Sequence, residues 1–285
     1  MASGIALALV AVIANAFAIV LQAAETRRAP LSDAGRPSLL VRLARRPRWL
    51  AGTALLVLAW PLQVLALTLA PITVVQPILA CTQLVLLLLA RTKLREHVGA
   101  IEIVGALAIG AGVAAVVLAA PRHTAADPKL VPTVVVLSAV GIAAIVAYAI
   151  GRRIRGTYLS LVVGAGFAYA WVDFVNKLLS NELSNGDWLL AILWVAGILA
   201  FGALAFLEEM TALQQRPAVT VAPVIGAVQD PLPVLMALVV GAETWSSAPS
   251  RVLPLIGGIV LVTLGAVLLG RSRAVARVAD ADEAL

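Results

Sequence analysis

Long apolar runs separated by short polar turns fill almost the whole chain. A helix needs roughly 20 predominantly apolar residues to cross the hydrocarbon core of a bilayer, and each run is close to that length. The pattern predicts an all-α polytopic membrane protein with nine transmembrane helices. The predicted spans are residues 3–24, 49–70, 72–91, 99–120, 130–151, 157–178, 188–210, 218–240 and 252–270.

Two of the runs share one spacing of proline and glutamine, 146 residues apart. The span at 130–151 stands between two sets of four, so the second set is expected to be inverted relative to the first, a 4+1+4 inverted repeat. We therefore expect one membrane domain, with repeat one at 3–120, a linking helix at 130–151, repeat two at 157–270 and a disordered tail at 271–285. The shared positions are Pro71, Pro77 and Gln83 in the first copy and Pro217, Pro223 and Gln229 in the second.

The charge distribution predicts an orientation. The chain is 62% hydrophobic and only 13% charged, against about 25% charged residues in soluble domains. In the nine-span topology, 17 of the 21 Lys and Arg residues fall on one side, seven of them in the first loop, residues 25–48. Because basic loops face the cytoplasm, we expect a multi-pass protein of the cell (plasma) membrane with its N-terminus outside and its C-terminus inside.

The first loop also has an amphipathic pattern. Leu39, Leu40 and Leu43 share one helical arc, while Arg42 and its basic neighbours share the opposite one. This pattern is typical of a short helix lying on a lipid surface, which we predict for residues 38–46, with anionic lipid contacting residues 36–48. A solvated basic loop is the alternative interpretation.

Polar groups within the spans are candidates for a binding site, because such groups are costly in hydrocarbon. A convergent midplane pocket would account for several of them. For the amides, hydrogen bonding between helices is the competing explanation. The predicted substrate-binding residues are Asp230, Gln229, Gln83, Asp173, Asn15, Gln63 and Tyr169.

Two aspartates are the candidate metal ligands. Asp173 has Tyr169 and Lys177 one turn away on either side, so it could hold a cation among aromatic rings or simply pair with Lys177. Asp230, in the sequence QDPLP, is expected to mark a helix break, either as a transport residue or only as a helix cap. Carboxylate oxygens on these two residues would suit a hydrated magnesium ion.

Several segments resemble a known family. The run from Leu67 to Leu118, with APITVVQP, the basic turn RTKLRE and a Gly-rich helix, resembles the hallmark of the drug/metabolite transporter superfamily. AIVLQ at 18–22 and the Arg-rich first loop are most similar to its magnesium-transporter-related branch. The resemblance implies alternating-access transport of a divalent cation such as magnesium, or of a small metabolite. In the related small multidrug resistance pumps, an essential glutamate lies eight residues before a lysine. In this chain the lysine is Lys177, and Tyr169 stands at the place of the glutamate.

Other functions are less consistent with the sequence. No G-x-x-x-x-G-K-[ST] motif occurs, so we expect neither ATP hydrolysis nor another enzymatic activity, and no cofactor. The expected partners are a small solute or cation and anionic lipid, with a homodimer as one possible assembly and no nucleic acid. A lipid or lipid-linked sugar flippase and a non-transporting membrane partner are the alternatives.

Glu102, Glu208 and Glu209 lie near span ends and are expected to be interfacial charges.

Overall fold

The helices and turns of this chain are taken from a computed structural model, which describes residues 2–69, 78–79, 81–96, 98–119, 129–154, 158–229, 231–241 and 249–270. These residues form helices and connecting turns, without a strand. The first half contains α1 (Ala2–Thr26), α2 (Pro37–Leu43), α3 (Pro47–Leu69), α4 (Thr82–Leu89) and α5 (Ala100–Ala119). The rest contains α6 (Leu130–Arg153), α7 (Tyr158–Asn185), α8 (Trp188–Gln215), α9 (Ala218–Gln229), α10 (Leu232–Val239) and α11 (Pro249–Gly270).

The observed helices coincide with the predicted apolar runs, with differences at their ends. Helix α8 continues five residues beyond the predicted end at 210, to Gln215. The run at 218–240 forms two helices, α9 and α10, on either side of residues 230–231, where the break was predicted. Asp230 itself lies outside the described residues, as do the first part of the run at 72–91 and the tail at 271–285.

Among the described residues, four helices are long and apolar enough to cross a membrane. They are Ala2–Thr26, Leu130–Arg153, Tyr158–Asn176 and Trp188–Gln215, judged by length and hydropathy. Large apolar side chains are exposed along α6 and α8, for example Val131 (72%) and Leu189 (71%). Exposed apolar surface of this extent indicates contact with lipid rather than water. The chain is therefore an α-helical membrane protein.

Helices from both halves share the main core. Val20 on α1, Leu86 on α4 and Ile109 on α5 belong to one buried cluster with Leu161 on α7 and Ile225 on α9. Lipid tails offer no hydrophobic driving force for helix association, so membrane helices depend on close packing. Small residues permit the closest approach between helices. Gly166 on α7, for instance, lies against Val228 and the carbonyl oxygen of Ile225 on α9.

The first loop is folded against the bundle. The predicted helix within it is present as α2, but Leu39 and Leu43 are fully buried, and α2 packs on α8. Since this leucine face contacts protein, it is not available to insert into lipid. Binding of anionic lipid by residues 36–48 remains a prediction, now for the exposed arginine side chains alone.

Backbone contacts hold the first loop in place. The Gly35 N–H, at a residue whose φ of 66° suits glycine, donates to Thr211 Oγ1 of α8 (3.1 Å). The Tyr148 hydroxyl of α6 donates to the Gly35 carbonyl oxygen (2.5 Å). Arg46 donates to the Glu25 carboxylate (3.3 Å) and to the Glu25 carbonyl oxygen (2.9 Å). The loop is thus attached to helices of the second half of the chain.

Candidate functional site

Helices α7 and α8 bring a tyrosine and a glutamate together inside the bundle. The Tyr169 hydroxyl on α7 donates to Glu209 Oε2 on α8 over 2.7 Å. Glu209 is buried (9% exposed), and Tyr169 is half-buried against the main core. A tyrosine hydroxyl that stabilises a buried carboxylate also fixes the direction of its oxygens, which pre-organises the group for a ligand.

One turn further along α7, a second carboxylate contacts α9. Gln229 Nε2, at the end of α9, donates to Asp173 Oδ2 over 3.0 Å. Tyr169 and Asp173 are four residues apart and therefore lie on the same face of α7. Three residues that the sequence proposed as a binding site, Tyr169, Asp173 and Gln229, are thus brought together by the fold.

The face of α7 that carries these residues is directed at α9. Gly166, one turn before Tyr169, has the α9 backbone against it. Asp173 lies two turns beyond Gly166 on the same stripe, yet its side chain is exposed. The Asp173 carboxylate is therefore both exposed and hydrogen-bonded to α9.

Glu208, beside Glu209 on α8, is buried without a partner. It is 0% exposed, and within the described part of the chain neither of its carboxylate oxygens has a hydrogen bond. Its side chain lies against Gly164 of α7. The neighbouring helices bury both glutamates, and α8 extends past them to Gln215. Their position at the membrane interface stays a prediction.

The acids of the site have no ion pair among the described residues. The ion pairs found there involve Glu25, Asp33 and Glu96, and none involves Asp173, Glu208 or Glu209. The side chain of Lys177, predicted as an alternative partner for Asp173, lies outside the described residues. When ionised, Asp173 and Glu209, which accept from neutral donors, attract a cationic ligand.

The other predicted residues do not join this group. Asn15 on α1 and Gln63 on α3 are half-buried, and no hydrogen bond among the described residues connects either to the acids. Asp230 and the side chain of Gln83 lie outside the described residues. The described residues contain no group of three His, Cys, Asp or Glu side chains placed to hold a metal ion, so the magnesium ligands Asp230 and Asp173 remain a prediction.

A second polar cluster closes the cytoplasmic end of the predicted topology. Arg27, just after α1, forms a salt bridge with Glu96, whose side chain is 4% exposed. The Glu96 carboxylate also accepts from the backbone N–H groups of Ala218 (2.8 Å) and Val219 (3.1 Å), the first residues of α9. Glu96 therefore caps a helix of the second half while pairing with an arginine of the first.

Comparison of the chain with protein-family models, with curated proteins and with solved structures gave no match. The resemblance to the drug/metabolite transporter superfamily therefore remains a prediction from the sequence. The geometry of the polar groups carries the functional argument.

Proposed function

We propose that this protein is an integral membrane transporter that moves a small cationic solute by alternating access between two inverted halves. The observation that carries the proposal is the group of Tyr169, Asp173, Glu209 and Gln229, in which two carboxylates are held by neutral donors among three helices. Magnesium and a small cationic metabolite are the two cargo classes that we put forward. Both are attracted by uncompensated carboxylates in a low-dielectric surrounding.

Contacts between α5 and α11 support the inverted repeat. A Cβ added to Gly112 would lie 2.6 Å from the carbonyl oxygen of Gly258, and one added to Gly265 would lie 2.6 Å from that of Gly105. When Gly112 is aligned on Gly265, the offset between the repeats rises from 146 to 153, because the second connecting loop is seven residues longer. Gly105 then matches Gly258, so the contact between Gly112 and Gly258 has its counterpart in the contact between Gly265 and Gly105. This reciprocal contact is what a twofold axis between the helices produces.

The wider pattern of helix contacts supports the same relation. In the first half, α1 packs on α3 and α4, and α4 packs on α5. In the second half, α7 packs on α8 and α9, and α9 packs on α11. These three contacts of one half therefore have counterparts in the other. The candidate site lies between α7 and α9, and α9 also contacts α1, α4 and α5 of the first half.

The Arg27 and Glu96 pair supports an alternating mechanism. It joins the end of α1 to the beginning of α9, so this contact holds the two halves together on the predicted cytoplasmic side. For a rocking motion to open that side, the contact must break. We infer that the conformation described here is closed toward the cytoplasm.

Reconstitution of the full-length protein into liposomes tests the proposal. Uptake of Mg²⁺ and of radiolabelled tetraethylammonium would represent the two cargo classes. We expect Asp173→Asn to lower the uptake of the transported probe at least tenfold, because asparagine keeps the hydrogen bond to Gln229 but removes the charge. The matched control is Asp187→Asn at the exposed N-cap of α8, where asparagine caps as well as aspartate.

Two results would contradict the proposal. Uptake at the wild-type rate by a folded Asp173→Asn protein would show that the charge is not used. No uptake of either probe by the wild-type protein, with transfer of a labelled polyprenyl phosphate between leaflets, would favour the flippase alternative.

A further inference from the structure

Three arginines surround one carboxylate at the end of α1. Glu25 is buried, and its carboxylate pairs with Arg28 (2.8 Å), Arg46 (3.3 Å) and Arg48 (4.0 Å). Three positive charges thus meet one negative charge, which leaves a net charge of +2. We call these four residues the arginine cluster.

Arg46 is the structural member of the arginine cluster. Its guanidinium donates to the carbonyl oxygens of Glu25 (2.9 Å) and Arg28 (3.2 Å), and so closes the first loop. The side chains of Arg28 and Arg48, in contrast, are 61% and 70% exposed. Arg48 also lies in the first turn of α3, where a positive charge opposes the helix dipole. The stability of the fold therefore does not account for Arg28 and Arg48.

The arginine cluster lies at the ends of two predicted spans. Glu25 is in the last turn of α1, a helix whose length and hydropathy suit a membrane span, and Arg48 is in the first turn of α3. At this level a bilayer presents the phosphate groups of its lipids. Because a guanidinium can donate two parallel hydrogen bonds to a phosphate, two exposed arginines side by side favour binding of that group.

An exposed apolar face of α3 begins directly beside the arginine cluster. Helix α3 packs mainly on α1 and leaves part of its circumference uncovered. The residues on this face follow the spacing of one side of a helix. They are Leu50, Ala51, Ala54, Val57 and Leu58, all exposed. A phospholipid needs such an apolar surface next to the group that binds its phosphate, whereas a soluble phosphate does not.

We propose that the arginine cluster and this face of α3 form a binding site for one anionic phospholipid. Its phosphate contacts Arg28 and Arg48, and its acyl chains follow α3. The site differs from the amphipathic helix predicted in the first loop, because α3 rather than α2 holds the apolar part of the lipid. It is also independent of the transport function proposed above.

The charge of the arginine cluster determines which lipid the site selects. A zwitterionic lipid such as phosphatidylcholine carries a positive group beside its phosphate, and the net charge of +2 repels that group. Phosphatidylglycerol carries the same phosphate without a positive group. The site therefore prefers phosphatidylglycerol to phosphatidylcholine.

Fluorescence quenching in proteoliposomes of the full-length protein tests the site. Trp60 is exposed on α3, about 18 Å beyond Arg48 along the helix axis, at the depth of the acyl chains. Its fluorescence is the difference between the wild-type protein and Trp60→Phe. In phosphatidylcholine vesicles with a minor fraction of brominated lipid, we expect brominated phosphatidylglycerol to quench Trp60 at least twofold more than brominated phosphatidylcholine.

Substitution of the exposed arginines should abolish this preference. We expect Arg28→Gln/Arg48→Gln to be quenched equally by the two brominated lipids. Arg91→Gln/Lys93→Gln is the matched control, because it removes two exposed positive charges from another turn on the predicted cytoplasmic side and should keep the preference. Arg48→Gln alone leaves two arginines on Glu25 and should halve the excess quenching, so it decides the question if the double variant does not fold.

Four results would overturn the site. The first two are equal quenching by both brominated lipids in the wild-type protein, and a preference that survives in the folded arginine variants. Equal loss in Arg91→Gln/Lys93→Gln would show attraction by overall charge rather than by the arginine cluster. Soluble glycerol phosphate should not displace the brominated lipid, and displacement would remove the role of α3. None of these outcomes depends on whether the protein transports Mg²⁺ or tetraethylammonium.

Discussion

Glu96 satisfies three donors that would otherwise lack partners. Its carboxylate pairs with the Arg27 guanidinium and accepts from two N–H groups in the first turn of α9. The first four N–H groups of a helix have no partner within the helix, so an acid at this point supplies both hydrogen bonds and a charge opposed to the helix dipole. One side chain therefore fixes both the start of α9 and its position relative to α1.

Removal of Glu96 should weaken the protein measurably. We expect Glu96→Ala to lower the free energy of unfolding by about 2–4 kcal/mol, as buried donors lose their acceptor. Glu96→Gln should cost less, because its amide oxygen still accepts from α9. The measurement is urea unfolding in detergent, with Glu182→Ala near the other end of the bundle as control. Unchanged stability of Glu96→Ala would contradict this account of the contact.

The sequence identified part of the site and missed part of it. Tyr169, Asp173 and Gln229 were recognised because polar side chains stand out within apolar spans. Hydropathy ends the span at 210 and so does not predict that Glu208 and Glu209 are buried, whereas α8 continues to Gln215. None of the five extra residues, 211–215, is charged, and Arg216 follows them. This absence of charge was the signal that the helix continues past 210.

At the level of the helices, the contact between α5 and α11 depends on glycine. The three atoms of α11 nearest to an added Cβ at Gly112 include two backbone atoms, the Gly258 carbonyl oxygen at 2.6 Å and the Val262 nitrogen at 2.8 Å, beside Val262 Cγ2 at 2.8 Å. Backbone atoms in a helix cannot rotate away as a side chain can. A methyl group at this position must therefore separate the two helices.

A pair of glycine substitutions tests this contact. We expect Gly112→Ala to lower the free energy of unfolding by about 1–3 kcal/mol through overpacking. Gly257→Ala is the matched control, because no atom lies within 4 Å of its Cβ position and alanine favours a helix by about 1 kcal/mol. Thermal unfolding of both variants in detergent gives the comparison, and equal behaviour would remove close packing as the role of Gly112.

Helices α3 and α9 each contain a proline. Helix α9 continues through Pro223, and α3 continues through Pro61. In a bundle, neighbouring groups can satisfy the carbonyl freed by a proline, so one proline does not end a helix. Helix α10 begins at Leu232, directly after Pro231, and proline favours the start of a helix.

For the whole molecule, the helix pairs and the distribution of basic residues favour the same inverted arrangement. We expect cysteines introduced at Ser38 and at Ser184 in a Cys81→Ala background to react with a membrane-impermeant maleimide from opposite sides. Ser38 is exposed on the first loop, and Ser184 lies near the end of α7. Labelling of both from the same side would contradict the topology and, with it, the inverted repeat.

The attachment of the first loop also sets an order of events during synthesis. Gly35 contacts Thr211, a residue 176 positions later in the chain. At roughly 5–20 residues per second, about 10–35 s pass between the emergence of the two residues from the ribosome. Throughout that time Leu39 and Leu43 have no helix α8 to cover them. In the predicted topology, the nascent chain then presents a basic, leucine-bearing segment to the cytoplasmic surface. Burial of this segment marks the point at which the second half has been inserted.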